Sequence, residues 1–304
     1  MQKDSLLPNT RRLASGPGSE PDPTAAISIR GLVKRYGEFV AVDGLDLDIR
    51  RGEIFALLGP NGAGKTTTVE VLEGYRVRDG GSVSVLGHDP GNRSAQLRSR
   101  VGIVLQSCGT YPHLTVAETV EHFAALYPAS RQVGEVLALA GLDECANRRA
   151  RTLSGGQARR LDFALALVGD PELIFLDEPT TGFDPGARRA AWEVIRSLRD
   201  LGKTVVLTTH YLDEAQTLAD RVAILQGGRI LAEGPPDALG ASRYRVAWRA
   251  ADGTFEERFT EDPTTLLAEL TAEALARGDR LEELSVTRPS LEDVYLELTT
   301  ESYA

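Results

Sequence analysis

The stretch Ile54-Phe55-Ala56-Leu57-Leu58-Gly59-Pro60-Asn61-Gly62-Ala63-Gly64-Lys65-Thr66 decides the fold. Five consecutive apolar residues read as a strand buried on both faces. The glycines then let the backbone curl, and Thr67 to Glu73 is compatible with a helix. Strand, glycine-rich turn and helix is the context in which such a loop holds phosphate. Its N–H groups point inward at the oxygens, and the positive helix end adds to the attraction. Lys65 is expected to reach the β- and γ-phosphates of a nucleoside triphosphate, and the Thr66 hydroxyl to ligate Mg²⁺. Thr67, beside them, joins the expected nucleotide-binding set. An ordinary glycine-rich turn would need neither the lysine nor the threonine.

Working outward, Leu173 to Leu176 is a second apolar run, and it ends in Asp177-Glu178. A buried strand ending in acid places Asp177 where it can hold Mg²⁺, directly or through water. Glu178, on the other side of the strand end, is positioned to take a proton from the water that attacks the γ-phosphate. Val101–Leu105 and Thr204–Thr208 are further near-continuous apolar runs of the parallel-strand kind. By contrast, Ile27 and Ile29, then Leu45, Leu47 and Ile49, alternate with polar residues. The expected architecture is therefore an α/β core with an antiparallel β layer at its front.

The rest of the chain is punctuated. Residues 1–26, rich in Pro, Ser, Gly and charge, read as a disordered tail. Between about 107 and 157 apolar residues recur at helical spacing (Val116, Val120, Phe123, Ala124, then Val136, Leu137, Ala140), which predicts an inserted helical subdomain. Val222–Leu231 reads as a hairpin about Gly227-Gly228. The main domain is expected to span 27–240, and 241–304 to form a small α+β domain. There Tyr244–Trp248 and Phe255–Phe259 flank Asp252-Gly253 as a hairpin, and Leu266, Leu267, Leu270 and Leu275 mark a short helix. Ser290-Leu291-Glu292-Asp293 resembles a capping box opening a last helix through Leu298.

Bulk properties set limits. The 304 residues suffice for a full core and about two domains. A net charge of −10 argues against a nucleic-acid surface. No uninterrupted apolar stretch approaches the roughly 18 to 20 residues of a membrane span, and no secretory signal is expected at the N-terminus. Cys108 and Cys145 match no metal spacing and read as reduced thiols. His88, His113 and His122 also lack metal-ligand spacing. Trp192 and Trp248 read as core aromatics, and Arg148-Arg149-Ala150-Arg151 as a solvated face or part of a docking surface.

Leu153-Ser154-Gly155-Gly156-Gln157 lies between the phosphate loop and the Asp-Glu strand, and it opens a helix. Its small residues let backbone N–H groups and the Ser154 hydroxyl approach a phosphate. It closely resembles the signature motif of ABC-type ATPases, and the resemblance covers Ile27 to about Gly240. It implies further roles by position. Gln106 matches the glutamine that senses Mg²⁺ and the attacking water, and His210 the switch histidine that contacts the γ-phosphate. Tyr36 matches the aromatic that stacks on adenine, and Thr181-Gly182-Phe183-Asp184 the loop that reports across a dimer. Phe183 stands where leucine is usual, and Ala158 where a longer polar or basic side chain is frequent.

Thr209-His210-Tyr211-Leu212-Asp213-Glu214-Ala215, Thr180-Thr181-Gly182 and Pro289-Ser290-Leu291-Glu292-Asp293-Val294-Tyr295 resemble the ATP-binding subunits of bacterial ABC-2-type exporters, daunorubicin-resistance ATPases among them. Together the resemblances imply ATP and Mg²⁺ as cofactors and a head-to-tail dimer. They also imply a separate polytopic permease docked on the helical subdomain, and a place at the cytoplasmic face of the cell membrane. Drug, antibiotic or lipid-like export is the implied task. The alternative is a soluble ABC ATPase acting on a partner such as the ribosome. Such proteins usually carry two cassettes or coiled-coil arms, and this sequence has neither.

Overall fold

The computed structural model describes residues 24–104, 111–239, 244–250, 253–288 and 290–300. Gln106, Cys108 and Pro289 lie outside the described residues, as does most of the expected tail. In chain order the elements begin with strands β1 (Ala25–Tyr36), β2 (Phe39–Arg50) and β3 (Ile54–Leu58), then helix α1 (Lys65–Leu72) and strand β4 (Gly80–Val85). A short α2 (Ala95–Arg98) precedes β5 (Val101–Val104). Helices α3 (Val116–Ala124), α4 (Val133–Leu139) and α5 (Gly155–Leu167) follow. Then come β6 (Leu173–Asp177), α6 (Pro185–Asp200), β7 (Thr204–Thr209), α7 (Leu212–Leu218), β8 (Arg221–Gln226) and β9 (Arg229–Gly234). The chain closes with α8 (Pro236–Leu239), β10 (Tyr244–Arg249), β11 (Phe255–Thr260), α9 (Pro263–Arg277), β12 (Glu282–Thr287) and α10 (Leu291–Thr300).

The described chain divides into two compact units, one reaching Leu231 and the other starting at Ala232. In the first, six strands lie in the order β5-β6-β7-β3-β8-β9. The pairs β5/β6, β6/β7, β7/β3 and β3/β8 are all parallel. Every residue of β3 and β7 is buried, which is why their sequences show no alternation. A three-stranded antiparallel sheet, β2-β1-β4, accompanies it. Here Leu45, Leu47 and Ile49 are buried and the residues between them are not, as period-two patterning demands. β1 begins at Ala25, ahead of Ile27, because Ala26 is already part of the core.

The register of the parallel strands positions the site. Leu58 lies beside Thr209, and Asp177 beside Thr208. The segments that follow β3, β6 and β7 therefore leave from one edge of the sheet, the carboxyl edge, where ligands of open α/β folds bind. Helices α3, α4 and α5 share a separate core of Val116, Val120, Val136, Leu137, Leu161 and Val168, among others. Thr115 caps α3 in a reciprocal box with Glu118.

In the second unit the sheet order is β11-β10-β12. Val246 and Trp248 of β10 pack with Leu266, Leu267 and Leu270 of α9. Leu275, expected on the same face, is 70% exposed in the last turn of the helix. Ser290 and Asp293 do close a capping box, with Asp293 N–H donating to Ser290 Oγ at 3.2 Å and Ser290 N–H to Asp293 Oδ2 at 2.7 Å. The helix runs on to Thr300, past the expected Leu298.

Candidate active site

Two glycines shape the loop after β3. Gly62 and Gly64 sit at φ 81° and 103°, a region that side chains rarely adopt. A Cβ on Gly64 would lie 2.4 Å from the Ala41 carbonyl oxygen, and one on Gly59 equally close to that of Leu225. At Gly59 and Gly64 the loop thus runs against neighbouring backbone with no room for a side chain. Gly64 precedes α1 without offering a side-chain cap, so N–H groups of the first turn remain available to an anion. Lys65 Nζ donates to the carbonyls of Gly59 and Pro60, at 2.8 and 3.1 Å. Burial lowers its pKa, and Glu178 and Asp177 work against that shift. The lysine thus lies under the loop with two carboxylates in electrostatic range.

A cleft of about 190 Å³ opens here, lined by Tyr36, Phe39, Ala41, Asn61, Gly62, Gly64, Lys65, Thr66, Thr67 and Glu178. Tyr36 and Phe39 face each other across the β1–β2 hairpin, 41% and 61% exposed. Lys34 and Arg76 bring cations within 5.4 and 5.8 Å of the Tyr36 ring centroid. A glycine cradle, a lysine, hydroxyls and two exposed aromatics suit a nucleoside polyphosphate. Thr66 and Asp177 offer hard oxygen donors of the kind Mg²⁺ takes alongside phosphate and water.

At the end of β6 the backbone turns sharply. Glu178 has φ 46°, unusual for a residue with a side chain. Thr208 secures it: Glu178 N–H donates to the Thr208 carbonyl at 3.1 Å and to its hydroxyl at 3.0 Å. The same hydroxyl donates to Asp177 Oδ1. Strain of this kind persists where the surroundings over-determine it, commonly at functional sites. The Glu178 carboxylate accepts from Thr181 Oγ1 at 3.1 Å, and its Oε1 lies 3.3 Å from His210 Nδ1. An acid and an imidazole in contact at the rim of a phosphate cradle can accept a proton from water and pass it on.

Ser154, Gly155, Gly156 and Gln157 are not part of this cleft. Ser154 caps α5, its Oγ accepting from Gln157 N–H at 3.3 Å, while Gln157 Oε1 accepts from Ser154 N–H at 3.0 Å. The serine hydroxyl keeps its own proton to donate. Ser154, Gly156 and Gln157 line a second cleft of about 230 Å³ with Arg159, Phe163 and Phe183, so the unusual Phe183 packs beside the signature helix.

Several neighbours were not legible in the sequence. Arg148 is not simply solvated: its guanidinium donates to the Thr152 carbonyl and, at 3.3 Å, to Gln157 Oε1. Gln157 Nε2 lies 3.2 Å from the buried Cys145 thiol. Trp192 is only half-buried and donates to Glu214. Glu73, just past α1, is pushed up to about 8 by burial first and then by Asp177 and Glu70.

Comparison with known proteins bears on the family and the fold. A family model described as ABC transporter matches residues 42–181. The Nod factor export ATP-binding protein I of Cupriavidus pinatubonensis is 39% identical over 306 residues, covering 92% of each chain. The daunorubicin/doxorubicin resistance ATP-binding protein DrrA of Streptomyces peucetius is 38% identical, covering 91% of this chain and 93% of that one. Among solved structures, a dimeric post-hydrolysis ATP-binding cassette bound to ADP and Pi is 27% identical, with a TM-score of 0.61 over 69% of this chain and 98% of its own. An ATP-binding subunit of an ABC transporter shares the fold over 90% of this chain and 99% of its own, at 24% identity and a TM-score of 0.67.

Proposed function

The chain belongs to the ABC transporter family of ATPases, and from that premise we propose that it is the motor subunit of an exporter, coupling ATP hydrolysis to a separate membrane permease. The observation that carries this reading is the meeting of Lys65, Asp177, Glu178 and His210 at one sheet edge. In this reading Gly59 to Thr67 hold the triphosphate and Tyr36 stacks on adenine, a contact worth about 1–3 kcal/mol by analogy with other stacking platforms. Thr66, Asp177 and Gln106 would hold Mg²⁺, which would supply charge neutralisation on the phosphates. Glu178 takes the proton of the attacking water, and His210 orients Glu178 and contacts the γ-phosphate.

The Ser154 hydroxyl and the N–H groups at the start of α5 serve the nucleotide of a second copy. Two chains, head to tail, close around two ATP molecules and open after hydrolysis. No helix among the described residues is long and apolar enough to cross a membrane. The permease provides the spanning part and holds this subunit at the cytoplasmic face. The names of the relatives, which speak of Nod factor export and daunorubicin resistance, support export of a drug-like, antibiotic or lipid-like molecule. They do not favour the soluble, ribosome-directed alternative.

The test is Glu178→Gln. The variant should bind ATP, elute as an ATP-dependent dimer and lose nearly all turnover. Hydrolysis at the unmodified rate would remove Glu178 from the mechanism.

A further inference from the structure

Glu214 lies fully buried in the first turn of α7, and the chemistry above makes no use of it. Its Oε1 accepts two hydrogen bonds, from Thr180 Oγ1 at 2.7 Å and from Trp192 Nε1 at 3.1 Å. Among the described residues its Oε2 is buried without a hydrogen-bond partner. A buried carboxylate with one oxygen unsatisfied lowers stability, and an apolar side chain of similar volume would serve the core better. A group retained at that disadvantage calls for another explanation.

Glu214 and the two residues it joins come from three places. Thr180 is buried just after Glu178, Trp192 is on α6, and Glu214 itself follows His210. A second link runs beside the first. Arg188 stands one turn before Trp192, on the same face of α6. Its guanidinium lies 4.4 Å from the Tyr211 ring centroid and 3.2 Å from Asp213 Oδ2, and its Nε is buried without a partner among the described residues. The Tyr211 ring lies 4.1 Å from that of His210, tilted by 39°. One face of α6 thus holds the chain after His210 directly, and through Glu214 it is joined to Thr180, just after Glu178. That helix is capped by Asp184, the last residue of the Thr181–Asp184 loop.

We infer that Glu214 is a positioning residue of the ATPase site. With Thr180 and Trp192 it fixes the approach of His210 to Glu178, while Arg188 and Tyr211 set the plane of the imidazole. The inference rests on the ATPase roles given above to Glu178 and His210.

The test measures turnover, ATP KM, binding of a fluorescent ATP analogue and melting temperature for Thr180→Val combined with Trp192→Phe. The double variant should lose about tenfold to a hundredfold in kcat, the scale of a misplaced catalytic group, with analogue binding and KM little changed. Thr180→Ser should recover most of the loss, and Glu214→Gln, which keeps an acceptor for both donors, should retain more turnover than Glu214→Leu. In a His210→Ala background the double substitution should add almost nothing, because both changes act through one ring.

Undiminished kcat in a folded double variant would overturn the inference. So would losses that multiply with that of His210→Ala, or a fall in binding and melting temperature that accounts for the lost turnover. If the unmodified chain fails to hydrolyse ATP, or Glu178→Gln leaves its rate intact, the reading of the site itself fails, separately from the brace.

Discussion

Gly64 and Glu178 both adopt backbone angles that most residues avoid, and each does so where the nucleotide is expected. Gly64 has no freedom to become anything else. Gly64→Ala would place a methyl against the Ala41 carbonyl at φ 103°, which should destabilise the fold by about 2 kcal/mol or more. Nucleotide affinity should fall with it, as titration of a fluorescent ATP analogue would reveal. Glu73 yields a pH prediction. Its carboxyl is raised from 4.5 to about 8, chiefly by burial, so the native state keeps a proton that the unfolded chain has lost between those values. The resulting stability is fully present below the unfolded value and is lost as pH rises toward the folded one. Glu73→Gln should therefore stabilise the protein by on the order of 1 kcal/mol or more near pH 8, and less near pH 6, as thermal unfolding at each pH would show. A gain that is the same at both pH values would contradict the assignment.

Among the elements, α5 shows how the signature is supported. Its first turn is closed by Ser154 and Gln157, and Arg148 ties Gln157 to the Thr152 carbonyl. Arg148→Ala should leave ATP binding to the separate subunit intact and lower turnover severalfold, which steady-state hydrolysis beside an equilibrium binding curve would detect. This role was hidden because three arginines in four positions read as a solvated run, and only the folded loop turns one of them onto the Thr152 carbonyl and Gln157. Where apolar runs or alternation were unbroken, as in β2, β3, β6 and β7, the sequence could be read directly. β12 could not, since all of Glu282–Thr287 is exposed and carries no pattern of burial. Glu214 was hidden for the opposite reason: an acid beside Asp213 reads as solvent-facing, yet it is fully buried. Of the candidate site, Asp177 and Glu178 were legible from the strand that carries them, Lys65 from the glycine-rich loop, and His210 from the family resemblance. The backing by Thr208 and Phe39 was not, because one hydroxyl in a buried strand and one exposed aromatic carry no motif.

At the scale of the whole molecule, the cleft around Lys65 and the signature at Ser154 do not meet within one chain. A head-to-tail pair would bring each cleft its missing wall. Ser154→Arg and Lys65→Ala should each abolish hydrolysis alone. Mixed in equal amounts they should recover roughly a quarter of the native rate, since half the dimers are mixed and one site of each pair is then intact. No recovery on mixing, with both proteins folded, would contradict the shared site. The central claim is that this motor drives a permease. It is tested most directly by recovering tagged Glu178→Gln protein from detergent-solubilised membranes in the presence of ATP and identifying what accompanies it. The account predicts one polytopic membrane protein, bound together with two copies of this chain. A soluble partner such as the ribosome, with no membrane protein, would contradict it.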